Sequence, residues 1–134
     1  MIGGYSLPEG GRSHFGALLL GVYEGKGKNK RLMFCGKVGT GFTEAVLKSL
    51  GASMKKLERR ETPFANLPEA RTGRYGSGVT AAEMKRCRWV TPKLVAQVKF
   101  AEWTRDGKLR QPVFLGLRND KDAADVVREE PADA

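Results

Sequence analysis

The spacing of apolar and polar positions changes along this chain, and each change predicts an element. Gly16 to Glu24 is a short apolar run bounded by turn residues, which predicts a strand. Gly21 inside it weakens a strand unless a bend or bulge is wanted, as at the corner of a small barrel. Residues 25–29 (Gly-Lys-Gly-Lys-Asn) read as a turn, and Arg31 to Val38 as the returning strand of a hairpin. Its alternation puts Leu32, Phe34 and Val38 on one face and Met33, Cys35 and Lys37 on the other. Residues 1–15, rich in Gly, Ser and Pro and without a period, read as a lead-in linker.

The period then lengthens. From Thr43 to Leu57, Val46, Leu47, Leu50, Met54 and Leu57 recur at helical spacing, with Thr43 placed to cap and Lys48, Lys55 and Lys56 on the opposite face. Gly51 makes a break in this helix conceivable. Prolines and glycines exclude a long element between Glu58 and Cys87, where Thr80-Ala-Ala-Glu83 reads as a capping box. Arg88 to Val90 starts a strand that Thr91-Pro92 interrupts. Leu94 to Thr104 reads as the longest strand, with Ala96, Val98 and Phe100 on one face and Val95, Gln97, Lys99, Ala101 and Trp103 on the other. Asp106-Gly107 is a hairpin turn, and Lys108 to Leu117 the last strand. The expected architecture is all-β with one main helix, a five-stranded OB-fold Greek-key barrel over 16–121, since closure removes exposed edges. In such a barrel the helix follows the third strand, whereas here only two strands are legible before it.

At 134 residues the chain is expected to form a single domain, followed by an acidic tail over 122–134. No apolar run approaches the roughly 20 residues of a membrane span, and no secretory signal is legible at the start. Cys35 and Cys87 lack metal-binding spacing and read as free thiols in a reducing cytoplasm. His14 has no ligand partner nearby, so no metal site is expected.

Charge changes the picture most. The net charge is +9, but residues 1–119 hold 22 Lys/Arg against 9 Asp/Glu, while 120–134 hold 2 against 6. A body this basic points to a polyanion, nucleic acid being the commonest. The basic candidates for that contact are Lys26, Lys28, Lys30 and Arg31 in the first hairpin, with Arg59, Arg60, Arg71 and Arg74 beyond the helix. Tyr75 among these arginines suits a phosphate backbone, although a solvated loop fits the same residues. At the mouth of the last strand stand Arg118, Asp120 and Lys121. An Arg is a planar fork for phosphate oxygens and a Lys nearby is a point charge for the same anion, with an Asp able to hold either. Gly39-Thr-Gly41 before the helix is not a phosphate loop, because the Walker lysine pattern is absent.

Six stretches, in order and covering nearly the whole chain, carry a resemblance: Ile2-Gly-Gly-Tyr5, Leu18-Leu-Leu-Gly-Val-Tyr23, Gly36-Lys-Val-Gly-Thr-Gly-Phe42, Trp89-Val-x-Pro92, Val98-Lys-Phe-Ala-Glu-Trp-Thr-Arg-Asp-Gly107 and Pro112-Val-Phe-Leu-Gly-Leu-Arg-Asn-Asp-Lys121. Together they resemble the C-terminal OB domain of bacterial ATP-dependent DNA ligases, the ligase D type of non-homologous end joining. Arg118-Asn-Asp-Lys121 is similar to the Arg-x-Asp-Lys motif that closes the nucleotidyltransferase signature set. The resemblance implies that Arg118 and Lys121 contact the β and γ phosphates of ATP, with Asp120 positioning them, while Mg2+ travels with the triphosphate. It further implies nicked or broken duplex DNA and the ligase's adenylation domain as partners, and raises Ku-like and polymerase partners without deciding on them. The family's nucleophilic Lys-x-Asp-Gly motif is absent, since Arg105-Asp-Gly107 lacks the lysine. By itself the chain is therefore not expected to seal DNA.

Two other classes remain open on sequence. A free-standing OB-type binder of single strands would stack bases on an exposed aromatic, for which Trp103 beside Gln97 and Lys99 is the candidate, although a buried tryptophan is the commoner case. A structural module docking a protein through its basic surface would bind without regard to DNA.

Overall fold

The structure is a computed structural model that describes residues 1–8, 14–25, 30–67, 79–105 and 107–118. Its largest sheet is antiparallel, and the strand order differs from the chain order. Strands β1 (Ile2–Ser6), β2 (Leu18–Glu24) and β3 (Arg31–Val38) form a meander, and β5 (Cys87–Val90) adds to the free side of β1. The short β4 (Glu58–Arg59) pairs with β5, so the order is β3-β2-β1-β5-β4.

β1 corrects the reading of residues 1–15 as a lead-in linker. Gly3 and Gly4 disfavour a strand by propensity, but tertiary packing requires them. A Cβ on Gly3 would overlap the Phe64 ring, and one on Gly4 would lie 2.7 Å from the Arg88 carbonyl of the neighbouring strand. Phe64 is 2% exposed. It reaches this seat because Leu32 and Phe64 form a parallel bridge and the Ala65 N–H donates to the Leu32 carbonyl at 2.8 Å. With β1 counted, three strands precede the helix.

The β2–β3 hairpin is present, and its register shifts between Leu20 and Gly21, so the glycine that weakens the strand by propensity sits at an irregularity. Leu20 faces Gly36 and Gly21 faces Phe34, so Cys35 is the extra residue on β3. That bulge overturns the expected alternation there: Phe34 and Cys35 are both buried, at 1% and 2% exposure.

Helix α1 (Glu44–Lys56) forms as its pattern predicts. The Thr43 hydroxyl accepts from the Val46 N–H at 3.2 Å, Glu44 sits at the positive end, and Lys55 and Lys56 at the negative end. Leu47, Leu50 and Met54 are buried, each contributing roughly 1.5–3 kcal/mol of hydrophobic stabilisation. Gly51 does not break it. Thr80 caps the short α2 (Ala81–Met84) by accepting from the Glu83 N–H, as the capping box predicts.

The two long C-terminal strands are each interrupted. Leu94 to Thr104 divides into β6 (Val95–Lys99) and β7 (Glu102–Trp103), and the last strand into β8 (Leu109–Arg110) and β9 (Val113–Arg118). Pro112 has no N–H to give a ladder and Gln111 takes a positive φ of 55°, which together end β8. β6 pairs with β9, and β7 with β8 across a turn containing Gly107 at φ 77°. Asp106 lies outside the described residues.

The protein is thus mostly strand with one main helix, consistent with an all-β OB-fold. The described strands make three sheets and no continuous closed one. Two backbone hydrogen bonds bridge the sheets: Ile2 N–H to the Leu94 carbonyl at 2.9 Å, and Phe114 N–H to the Thr40 carbonyl at 3.0 Å. Between the layers, Phe15 packs edge-on against Phe42, which in turn meets Phe114 at a centroid distance of 5.0 Å.

Both cysteines are free and buried. Burial pushes the Cys35 thiol up to about 12, and raises Cys87 as well, with the Glu83 carboxylate adding to it. Neither is a reactive thiolate. Among the described residues no three His, Cys, Asp or Glu side chains gather as metal ligands. No described helix is long and apolar enough to cross a membrane.

Candidate nucleotide- and nucleic-acid-binding surfaces

Arg118 is the last residue of β9 and stands opposite Val95 of β6. β9 is anchored by Phe114, 5% exposed, so the strand delivers its final residue to a defined place. Arg118 is half-buried and lines a cavity of about 110 Å³ whose walls include Met1, Leu20, Cys35, Phe100 and Trp103. A guanidinium partly withdrawn from water beside apolar walls binds an anion more strongly than one fully solvated. Asp120 and Lys121 lie outside the described residues, so the triad predicted at this strand end is represented by its arginine.

Trp103 departs from its predicted place. It was expected on the face of Gln97 and Lys99, but the break after Lys99 resets the alternation. Gln97 and Lys99 are exposed, whereas Trp103 is half-buried, lines the same cavity as Arg118 and packs edge-on against Phe100 at 5.4 Å. An indole held this way presents less of its surface to a stacked base than one standing free on the barrel face.

Of the basic candidates, Lys30, Arg31, Arg59 and Arg60 are described and all are exposed. Lys26, Lys28, Arg71 and Arg74 lie outside the described residues, as does Tyr75. The Lys30 ammonium sits 5.1 Å from the centre of the Tyr23 ring, and Arg31 is registered opposite Glu24. Arg59 belongs to β4 and Arg60 follows it. β3 and β4 are the two ends of the five-stranded order, so the sheet does not set these pairs side by side. The arginine nearest Arg59 across the ladder is Arg88, which pairs with Glu58 at 3.6 Å.

A basic group that the sequence pattern had marked only as the solvent face of a helix proves to be part of a concavity. Lys48, Gly51, Ala52 and Lys55 of α1, with Tyr5 and His14, line a cleft of about 230 Å³. The signal available in the sequence was two lysines seven apart with a glycine between them. What the sequence did not contain was the strand beside them, since β1 was hidden.

Comparison with known proteins bears on these surfaces. Residues 11–121 match the family model described as the ATP dependent DNA ligase C terminal region. The chain is 42% identical over 132 residues to the multifunctional non-homologous end joining protein LigD of Pseudomonas aeruginosa, covering 98% of this chain and 14% of that protein. It is 44% identical over 131 residues to the LigD of Mycolicibacterium smegmatis, covering 96% of this chain and 15% of that one. Among solved structures, the ligase domain of Mycobacterium tuberculosis LigD superposes with a TM-score of 0.75 at 39% identity, over 96% of this chain and 37% of that one. A mycobacterial DNA ligase D complexed with ATP and MES gives a TM-score of 0.70 at 36% identity, over 96% and 36%. The chain therefore spans about 15% of the length of the curated relatives it matches.

Proposed function

The chain belongs to the family of ATP-dependent DNA ligase C-terminal regions, and from that premise we propose that it is the OB domain of a ligase of non-homologous end joining. It binds nicked or broken duplex DNA and lends Arg118, Asp120 and Lys121 to the adenylation step. The observation that carries the nucleotide role is Arg118, held half-buried at the end of an anchored strand.

The fold reading that goes with this function is a five-stranded Greek-key barrel. Taking the two bridging hydrogen bonds as its seams, the strands would run β1-β2-β3-β9-β6 and back to β1, with α1 following the third strand. That is the strand order of an OB-fold.

In the proposed mechanism this chain supplies charge and orientation, while the nucleophilic lysine comes from an adenylation domain. The leaving pyrophosphate gathers negative charge as its bond to the α phosphate breaks. A guanidinium donates paired N–H groups to those oxygens, Lys121 adds a point charge, and Asp120 keeps the two in place. Mg2+ would arrive with the triphosphate, and this chain is assigned no part in holding it. The work is expected in the cytoplasm, at the chromosome, with Ku-like and polymerase partners as further expectations. The single-stranded alternative loses support from the seating of Trp103 against Phe100.

The test is to combine the chain with a separately produced adenylation domain of a LigD relative and ATP, then follow lysine–AMP formation. Arg118→Ala is expected to slow it by roughly 100-fold or more, the scale for losing one donor to developing charge. An unchanged rate overturns the assignment.

A further inference from the structure

Helix α1 carries a cleft to which the adenylation role assigns nothing. Lys48 and Lys55 are seven residues apart, nearly two turns, so they stand on one face with about 10 Å of helix between them. Gly51 and Ala52 of the same helix, with Tyr5 and His14 from outside it, complete the lining. Both lysines and His14 are exposed, and among the described residues none of the three takes part in an ion pair. None of the described lining residues is acidic. The nearby Glu58 carboxylate is matched by the Arg88 guanidinium at 3.6 Å.

Gly51 keeps α1 close to the neighbouring segment: a Cβ there would meet the His14 Cβ at 3.4 Å and the Phe15 ring at 3.8 Å. The Tyr5 ring is buried beside Phe15, and burial, then Glu58, raise its hydroxyl above the ordinary 10.0, with Arg88 opposing, so it stays a neutral O–H.

Two ammonium groups, an imidazole and a phenol around a concavity with no acidic side chain among its described lining residues suit a polyanion. The spacing of the lysines suits an extended one better than a single small ion. We infer that this cleft grips the sugar–phosphate backbone of duplex DNA, with Lys48 and Lys55 each neutralising one phosphate. The inference rests on the duplex-DNA reading given under the proposed function and adds a location to it. Met1, at one end of β1, lines the Arg118 cavity, and Tyr5, near the other end, lines the cleft.

The experiment is a fluorescence-anisotropy titration of a nicked duplex with the whole chain, repeated at several salt concentrations. The double variant K48Q/K55Q is compared with K93Q/R105Q, which removes the same charge from exposed positions elsewhere. Neutralising two fewer phosphates lowers the slope of log K against log salt by about 1.8, a loss of roughly 60-fold at 0.1 M salt. The control pair is expected to lose no more than about 3-fold, the scale of a long-range screened effect. Equal losses in the two pairs, with wild type binding well, overturn the cleft alone. A wild-type chain that fails to bind nicked duplex even at low salt overturns the duplex reading as well.

Discussion

Asn66 offers the sharpest test of how the fold is held. Its side-chain carbonyl accepts from the Phe34 N–H at 2.7 Å, and its amide donates to the Phe34 carbonyl at 3.2 Å. One side chain thus occupies both backbone groups of a β3 residue, as a neighbouring strand would. Phe34 itself is 1% exposed, so the backbone groups it brings with it are costly to leave without partners. Asn66→Ala removes both bonds at once. Two hydrogen bonds of ordinary net worth give about 2 kcal/mol, and stranding buried groups carries that towards about 3. Asn66 is half-buried, and water reaching the gap keeps the loss below the sum of two full desolvation penalties. Urea unfolding followed by fluorescence of Trp89, 8% exposed, reads the change in midpoint at constant slope. Asn66→Asp keeps an acceptor for the N–H but turns a carboxylate oxygen towards the Phe34 carbonyl, so it is expected to destabilise at least as much as the alanine. An alanine variant within about 0.5 kcal/mol of wild type, with unchanged hydrogen exchange at Phe34, would refute the role.

Two further outcomes follow from the same geometry. Thr43→Ala removes the cap of α1 and is expected to cost about 1 kcal/mol, read as a lowered urea midpoint, with Thr43→Ser nearly neutral. The Cys35 thiol, pushed up to about 12 by burial from its ordinary 9.0, ionises in the unfolded chain before it does so in the folded one. Its contribution is complete below about pH 9 and is lost as pH rises towards 12, by up to about 1.4 kcal/mol per pH unit. Urea midpoints measured from pH 8 to 10 should fall less steeply in Cys35→Ala than in wild type, and an equal slope would contradict the cause given.

What was legible in the sequence follows the range of the forces involved. The helix from Thr43 onward, its cap and the first hairpin are local matters of period and turn chemistry, and each stands where the pattern puts it. β1 was illegible because Gly3 and Gly4 are glycines for the sake of Phe64 and Arg88, sixty and more residues away. Cys35 turned inward because a bulge resets the period within one residue, and Trp103 moved because its long strand breaks. Neither event leaves a mark that alternation can read. Arg118 was legible as a strand end; its seat on a cavity wall was not, since Met1 and Leu20 come from the other end of the chain.

The position of β1 also explains why the two proposed sites belong to one design. Its first residues bond to Leu94, the residue just before β6, and β6 is the strand that registers Arg118 opposite Val95. Its later residues put Tyr5 beside α1, with Arg88 across the ladder. A change in the seating of β1 would therefore reach both the guanidinium and the lysine cleft, although no side chain spans the two. Phe64 is the wedge that fixes that seating, because its ring lies on Gly3 and Gly21 of adjacent strands and meets Trp89 at 6.2 Å. The segment that carries it is also the one that closes β3 through Asn66. The two groups proposed to bind anions thus depend on one buried ring for their common frame.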